Sequence, residues 1–146
     1  MGDGRGLSGG SRDPGTVISF GASKVRNPTD EPLTVTGISL RGSNTQDGVT
    51  VTDVYVLDLT GITDTAGLAN GFPPPSQATD PFVPAEGAVL SPNTWYQILF
   101  VIHVEKPGIW TFSDVEISYE ANGEKFVATA PDGLRICAPR TVDCSQ

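Results

Sequence analysis

The chain has 146 residues, with 17 glycines, 12 prolines and an acidic balance of 17 Asp and Glu against 9 Lys and Arg, a formal charge of −8. This length suits one domain, and frequent turn residues with lysines only at Lys24, Lys106 and Lys125 leave little room for long amphipathic helices. The charge and the lack of any Lys/Arg cluster exclude the electrostatic footprint of nucleic-acid or anionic-membrane binding, and no apolar run reaches the roughly 18 residues of a spanning helix.

In chain order, residues 1–15 hold six glycines and lack the basic and apolar regions of a signal peptide. They read as a flexible leader, and residues 16–146 as a single domain. The natural signal peptide or membrane anchor is expected to lie outside this sequence, which implies an extracytoplasmic location. Strands are expected at Thr16–Phe20, Ala22–Arg26, Leu33–Leu40, Val49–Leu59, Ala88–Leu90, Trp95–Glu105, Ile109–Ala121, Glu124–Ala130 and Leu134–Ala138. Asn27-Pro28-Thr29-Asp30-Glu31-Pro32 and Ser43-Asn44-Thr45-Gln46-Asp47-Gly48 mark turns between them. In Leu33–Leu40 the apolar phase slips across Thr36-Gly37, which predicts a β-bulge there. Residues 60–94 form a long, Pro-rich connection without either period.

The run from Trp95 to Thr129 is the clearest signal. Tyr96, Ile98, Phe100, Ile102 and Val104 alternate with Gln97, His103 and Glu105, the period of a strand with one buried face. Lys106-Pro107-Gly108 supplies the next turn, and Asn122-Gly123 is the favoured pair of a two-residue type I′ hairpin. That loop places Ala121 opposite Glu124, Tyr119 opposite Phe126, Ile117 opposite Ala128 and Glu120 opposite Lys125, one face apolar and the other charge-paired. Trp110 and Phe112 fall out of phase with Val115, Ile117 and Tyr119, so a second bulge is expected near Ser113-Asp114.

Asn27-Pro28 through Val35, then Gly108-x-Trp110-x-Phe112, then Val115-x-Ile117-x-Tyr119 and a terminal hairpin, together resemble bacterial extracytoplasmic immunoglobulin-like or fibronectin type III-like modules over residues 16–138. The expected fold class is all-β, an antiparallel two-sheet β-sandwich of seven to nine strands, immunoglobulin-like. Both cysteines follow both tryptophans, unlike the intersheet pair of true immunoglobulin domains. Cys137 and Cys144 are expected to form a local disulfide, with two reduced thiols or a redox pair as alternatives. The Gly, Ala, Pro and Asp content is similar to that of secreted or lipid-anchored proteins of GC-rich bacteria.

Catalytic constellations are sparse. His103 is the single histidine, and without a Gly-x-Ser-x-Gly elbow it reads as a surface residue rather than a triad member. Glu116 and Glu120 share one strand face and read as its polar side rather than as a glycosidase pair. Copper and zinc lack ligands, and Asp58, Asp64 and Asn70 are the oxygens a calcium ion would use. No catalytic, metal or cofactor residues are assigned. The candidate partner-binding residues are Phe72 and Phe82 in Gly71-Phe72-Pro73-Pro74-Pro75 and Pro81-Phe82-Val83-Pro84, either presented by extended proline-rich chain or packed on the sandwich edge. The expected role is a non-catalytic extracytoplasmic structural or protein-interaction module whose partner is a protein of the cell envelope or extracellular space. The alternatives are a carbohydrate-binding module using some of Tyr55, Trp95, Trp110 and Tyr119, and an enzyme with a loop-built acidic site.

Overall fold

The computed structural model describes residues 6–42 and 48–144. The expected turn at 43–47 and the first five residues of the expected leader lie outside them. Among the described residues eleven strands run in chain order: β1 Gly6–Ser11, β2 Val17–Arg26, β3 Leu33–Gly42, β4 Val49–Asp58, β5 Leu68–Asn70, β6 Val83–Pro84, β7 Val89–Leu90, β8 Trp95–Val104, β9 Gly108–Ala121, β10 Glu124–Ala130 and β11 Asp132–Ala138. A 3₁₀ turn at Pro75–Gln77 lies between β5 and β6. One sheet has the order β5-β2-β8-β4-β6, and the other β1-β11-β9-β3-β7 with β10 also on β9. The architecture is an all-β, immunoglobulin-like sandwich of two sheets.

Alternation builds the core. Ile18, Phe20 and Val25 of β2, Val56 of β4 and Ile98, Phe100 and Ile102 of β8 meet Leu33, Val35, Phe112, Val115, Ile117, Leu134 and Ile136 of the facing sheet. The turn between β9 and β10 follows the sequence rule: Asn122 and Gly123 take φ of 52° and 80°, as a type I′ hairpin requires. Its register pairs Glu124 with Ala121, Lys125 with Glu120, Phe126 with Tyr119 and Ala128 with Ile117, as the two-residue loop dictates.

Both expected bulges are present. Val35 pairs with Tyr119 and Gly37 with Ser118, so Thr36 is the extra residue of β3; Arg41 pairs with Asp114 and Gly42 with Phe112, so Ser113 is the extra residue of β9. At this second bulge β9 also changes neighbour, from β11 over Gly108–Phe112 to β10 over Val115–Ala121. Arg41 clamps it by donating to both oxygens of Asp114 (2.7 and 2.9 Å) and to Glu116 (2.9 Å), while Ser113 Oγ reaches Arg41 O (3.3 Å).

Four expectations change. Thr16–Phe20 and Ala22–Arg26 are one strand, β2, interrupted by a bulge between Phe20 and Ser23. Gly21 at that bulge donates to Gly67 O (2.6 Å), and a Cβ there would lie 2.4 Å from Gln97 Nε2. From residue 6 onward, the glycine-rich start forms β1, parallel to β11 from Gly6↔Asp132 to Ser11↔Cys137. Backbone pairing compensates there for the missing side chains. The connection 60–94 contains β5 and β6 in addition to β7, which corresponds to the expected strand Ala88–Leu90. Finally, β8 is buried on both faces from Tyr96 to Ile102, because it lies between β2 and β4 and its outer side is covered.

Candidate functional site

The outer cover of β8 comes from the long connection. After β4 the chain reaches the opposite edge of the sheet, where β5 pairs with β2 in the register Ile18↔Asn70 to Phe20↔Leu68. It then returns to pair β6 with the outer edge of β4 through Tyr55↔Pro84 and Val56↔Val83. The segment therefore straps the sheet from edge to edge. Gly71 N donates to Val17 O (2.7 Å) and Ser19 Oγ to Gly71 O at the β2 edge, while Ala85 N donates to Val54 O (2.9 Å) at the β4 edge.

At the centre of the strap two fully buried amides face one another. Gln77 Nε2 donates to Gln97 Oε1 (2.7 Å), and Gln97 Nε2 donates to Gly21 O (3.0 Å), Ala66 O (3.2 Å) and Gln77 Oε1 (3.3 Å). Gln77 Oε1 also accepts from Ala66 N (2.8 Å), and its Nε2 donates to Asp80 (3.2 Å). Around this pair Leu57, Leu99 and Val101, all on the outer side of the sheet, are buried, as is Pro74 of the strap. A buried amide is stable only when its donors and acceptors are met, so this network fixes both the path and the height of the strap.

The strap carries the candidate residues. Phe72 stacks on Tyr55 with ring centroids 4.7 Å apart and planes 6° from parallel, and Phe82 meets Phe72 edge-on at 5.9 Å and 61°. Tyr55 stands on the outer side of β4 opposite Leu99. The two phenylalanines are thus brought together and seated on the sandwich edge, yet Phe72 stays 37% exposed and Val83 beside Phe82 is 47% exposed. The result is an aromatic ledge on a hydrogen-bonded base.

The remaining sequence candidates do not converge. Trp110 is buried against Gly48 and Gly108, Trp95 lies under the Arg26 guanidinium at 5.9 Å, and Tyr119 stacks on Phe126 (5.4 Å) on the other sheet. Trp95 and Tyr55 lie on the outer side of one sheet, whereas Trp110 and Tyr119 belong to the other sheet, so the four rings build no common platform. Asp58 ends β4 and caps Thr60 N (2.9 Å), whereas Asn70 ends β5 on the opposite edge and accepts from Arg12 Nε (2.7 Å). Asp58 and Asn70 are therefore too far apart to share a cation, and Asp64 lies exposed on the strap between them. Glu116 is engaged by Arg41, Glu120 lies between Thr34 and Lys125 in register, and His103 sits half-buried between Val17 and Thr50. Among the described residues no group of three His, Cys, Asp or Glu is placed to hold a metal.

Cys137 and Cys144 form a disulfide. It folds the tail back over β11, where Ser11 Oγ donates to Val142 O and Arg140 N to Asp13 Oδ1 (3.0 Å). No described helix is long and apolar enough to cross a membrane.

No family model and no curated protein matches the chain. Among solved structures it is similar to PapD-like domain 7 of human CEP192, with a TM-score of 0.50 and 9% identity, over 94% of this chain and 83% of that domain. It also matches the VesB protease of Vibrio cholerae (TM-score 0.47, 11% identity, 94% of this chain) and a family 123 glycoside hydrolase from Clostridium perfringens (TM-score 0.41, 10% identity, 93% of this chain). The chain spans 32% of the protease and 24% of the hydrolase. At these identities the likeness is one of fold.

Proposed function

We infer that this chain is a non-catalytic interaction module of a bacterial extracytoplasmic protein, and that it contacts a protein partner through the aromatic ledge of Phe72, Phe82, Tyr55 and Val83. The observation that carries this reading is the ledge itself, two partly exposed rings held by prolines and a buried amide network. Aromatic side chains on a rigid base lose little entropy on binding and concentrate the energy of protein contacts. The disulfide supports an oxidising compartment. The test is affinity capture from a cell-envelope extract with the wild type and with Phe72→Ser/Phe82→Ser, after circular dichroism has confirmed that the variant is folded. Loss of one specific protein from the variant's eluate supports the ledge, and an identical set of captured proteins refutes it.

A further inference from the structure

Among the described residues most sheet edges of this fold are short or irregular; the longer regular ones are the glycine-rich β1, six residues parallel to β11, and β10, which carries larger side chains. β5, β6 and β7 have three, two and two residues, and the free stretches of β3 and β4 are broken by bulges at Thr36 and Thr52. Such devices keep an edge from pairing with another chain. β10 has seven residues in unbroken register with β9 and, among the described residues, nothing on its other side. It also exposes apolar side chains on both faces, Phe126 at 41% and Val127 at 63%.

On its inner face β10 borders a cleft of about 230 Å³ lined by Glu31, Leu33, Tyr119, Asn122, Glu124 and Phe126. The stacked rings of Tyr119 and Phe126 give it an aromatic floor, and Glu31 and Glu124 are among its lining residues. Asn122 Nδ2 donates to one oxygen of Glu31, while the Glu124 carboxylate has no ion pair or side-chain hydrogen bond among the described residues. Two carboxylates beside an aromatic face suit a cationic side chain with an apolar stem.

We propose that β10 accepts an extended peptide as an additional strand, with a lysine or arginine of that peptide, facing Glu124 and Phe126, entering the cleft that Glu31 and Glu124 line. Backbone pairing along the free edge supplies affinity, and the acidic aromatic cleft selects the basic residue. A second copy of this chain is a poorer occupant. Antiparallel self-pairing centred on Val127 sets Phe126 opposite Ala128 and Glu124 opposite Ala130, which fills no cleft, and two chains of charge −8 repel. The site lies on the sheet opposite the Phe72 ledge, so the two surfaces stand or fall separately.

The test is an amide-shift titration of the isotopically labelled protein with the capped peptide Thr-Val-Thr-Lys-Thr-Val-Thr and with its central Lys→Glu analogue. Saturable shifts along Glu124–Ala130 and at Tyr119 and Glu31, with Kd of roughly 1 mM or below, are expected for the lysine peptide. Weakening of about tenfold or more is expected for the glutamate analogue, and for the lysine peptide against Glu124→Lys, an exposed position whose reversal leaves the fold intact. Absent or non-saturating shifts, shifts mapping elsewhere, or equal binding of both peptides would overturn the proposal. Concentration-dependent shifts of the same amides without peptide would also overturn it, in favour of self-association.

Discussion

Removing the Gln97 side chain tests whether the strap is a structural layer or an ornament. In Gln97→Ala the carbonyls of Gly21 and Ala66 lose their amide donor, and the Gln77 amide loses its partner in a buried site. At about 1 kcal/mol for each stranded group, plus the space left by a fully buried side chain, the loss amounts to about 3–5 kcal/mol. That corresponds to a fall in Tm of roughly 6–20 °C for a domain of this size. Gln77→Ala leaves the bonds from Gln97 to Gly21 and Ala66, so it costs about half as much, and a double-mutant cycle gives a coupling of about 1–2 kcal/mol. Urea unfolding measures the loss, and hydrogen exchange locates it: the Ala66 amide, bonded to Gln77 Oε1 at 2.8 Å, loses protection while the core strands keep theirs. A loss under about 1 kcal/mol, or unchanged exchange at Ala66, would refute a strap fixed by the amide pair.

Gly48 takes φ of 104° and a Cβ there would lie 2.5 Å from the Trp110 ring, so Gly48→Ala is expected to cost about 2 kcal/mol or more and to alter the near-ultraviolet signal of the buried tryptophan. Reduction of Cys137–Cys144 frees a closed loop of about eight residues, worth roughly 2.5 kcal/mol in chain entropy; denaturant unfolding with and without reductant reads this, and exchange should rise in β1 and β11, which the tail overlies. The hydrogen bond from Arg41 holds the Asp114 carboxyl below the usual carboxylate range against a smaller opposing effect of burial. Its stabilisation is therefore complete above the ordinary aspartate pKa and is lost as pH falls through the lower folded value. The stability difference between wild type and Asp114→Asn should be small, salt-screened and constant near neutrality, then vanish in strong acid; a difference that grows in acid contradicts that sign.

What the sequence made legible was local. Asn122-Gly123 fixes its own hairpin register, and two breaks in apolar phase mark bulges because a phase slip has no other remedy when one face must stay buried. The strap was not legible as a layer, since Pro and Gly runs carry no period and its fixation rests on two glutamines twenty positions apart in the chain. A signal was nevertheless present in β8: Leu99 and Val101 are apolar at positions that strict alternation reserves for polar residues, as is Leu57 in β4. Near-continuous apolar runs belong to strands covered on both sides. β1 escaped for the opposite reason, because its glycines offer pairing groups but almost no side chains to read. The ledge was half legible: proline flanks singled out Phe72 and Phe82, but only the fold brings them together on Tyr55.

The central claim is that the ledge formed by Phe72, Phe82 and Val83 is the contact surface, and site-specific photocrosslinking tests it most directly. A benzophenone side chain placed at exposed Val83 is compared, in cell envelopes, with the same group at exposed Thr36 on the other sheet. The account predicts one discrete adduct from position 83 that Phe72→Ser abolishes, and none from position 36. Equal adducts from both positions, or an adduct at 83 that survives Phe72→Ser, would contradict it.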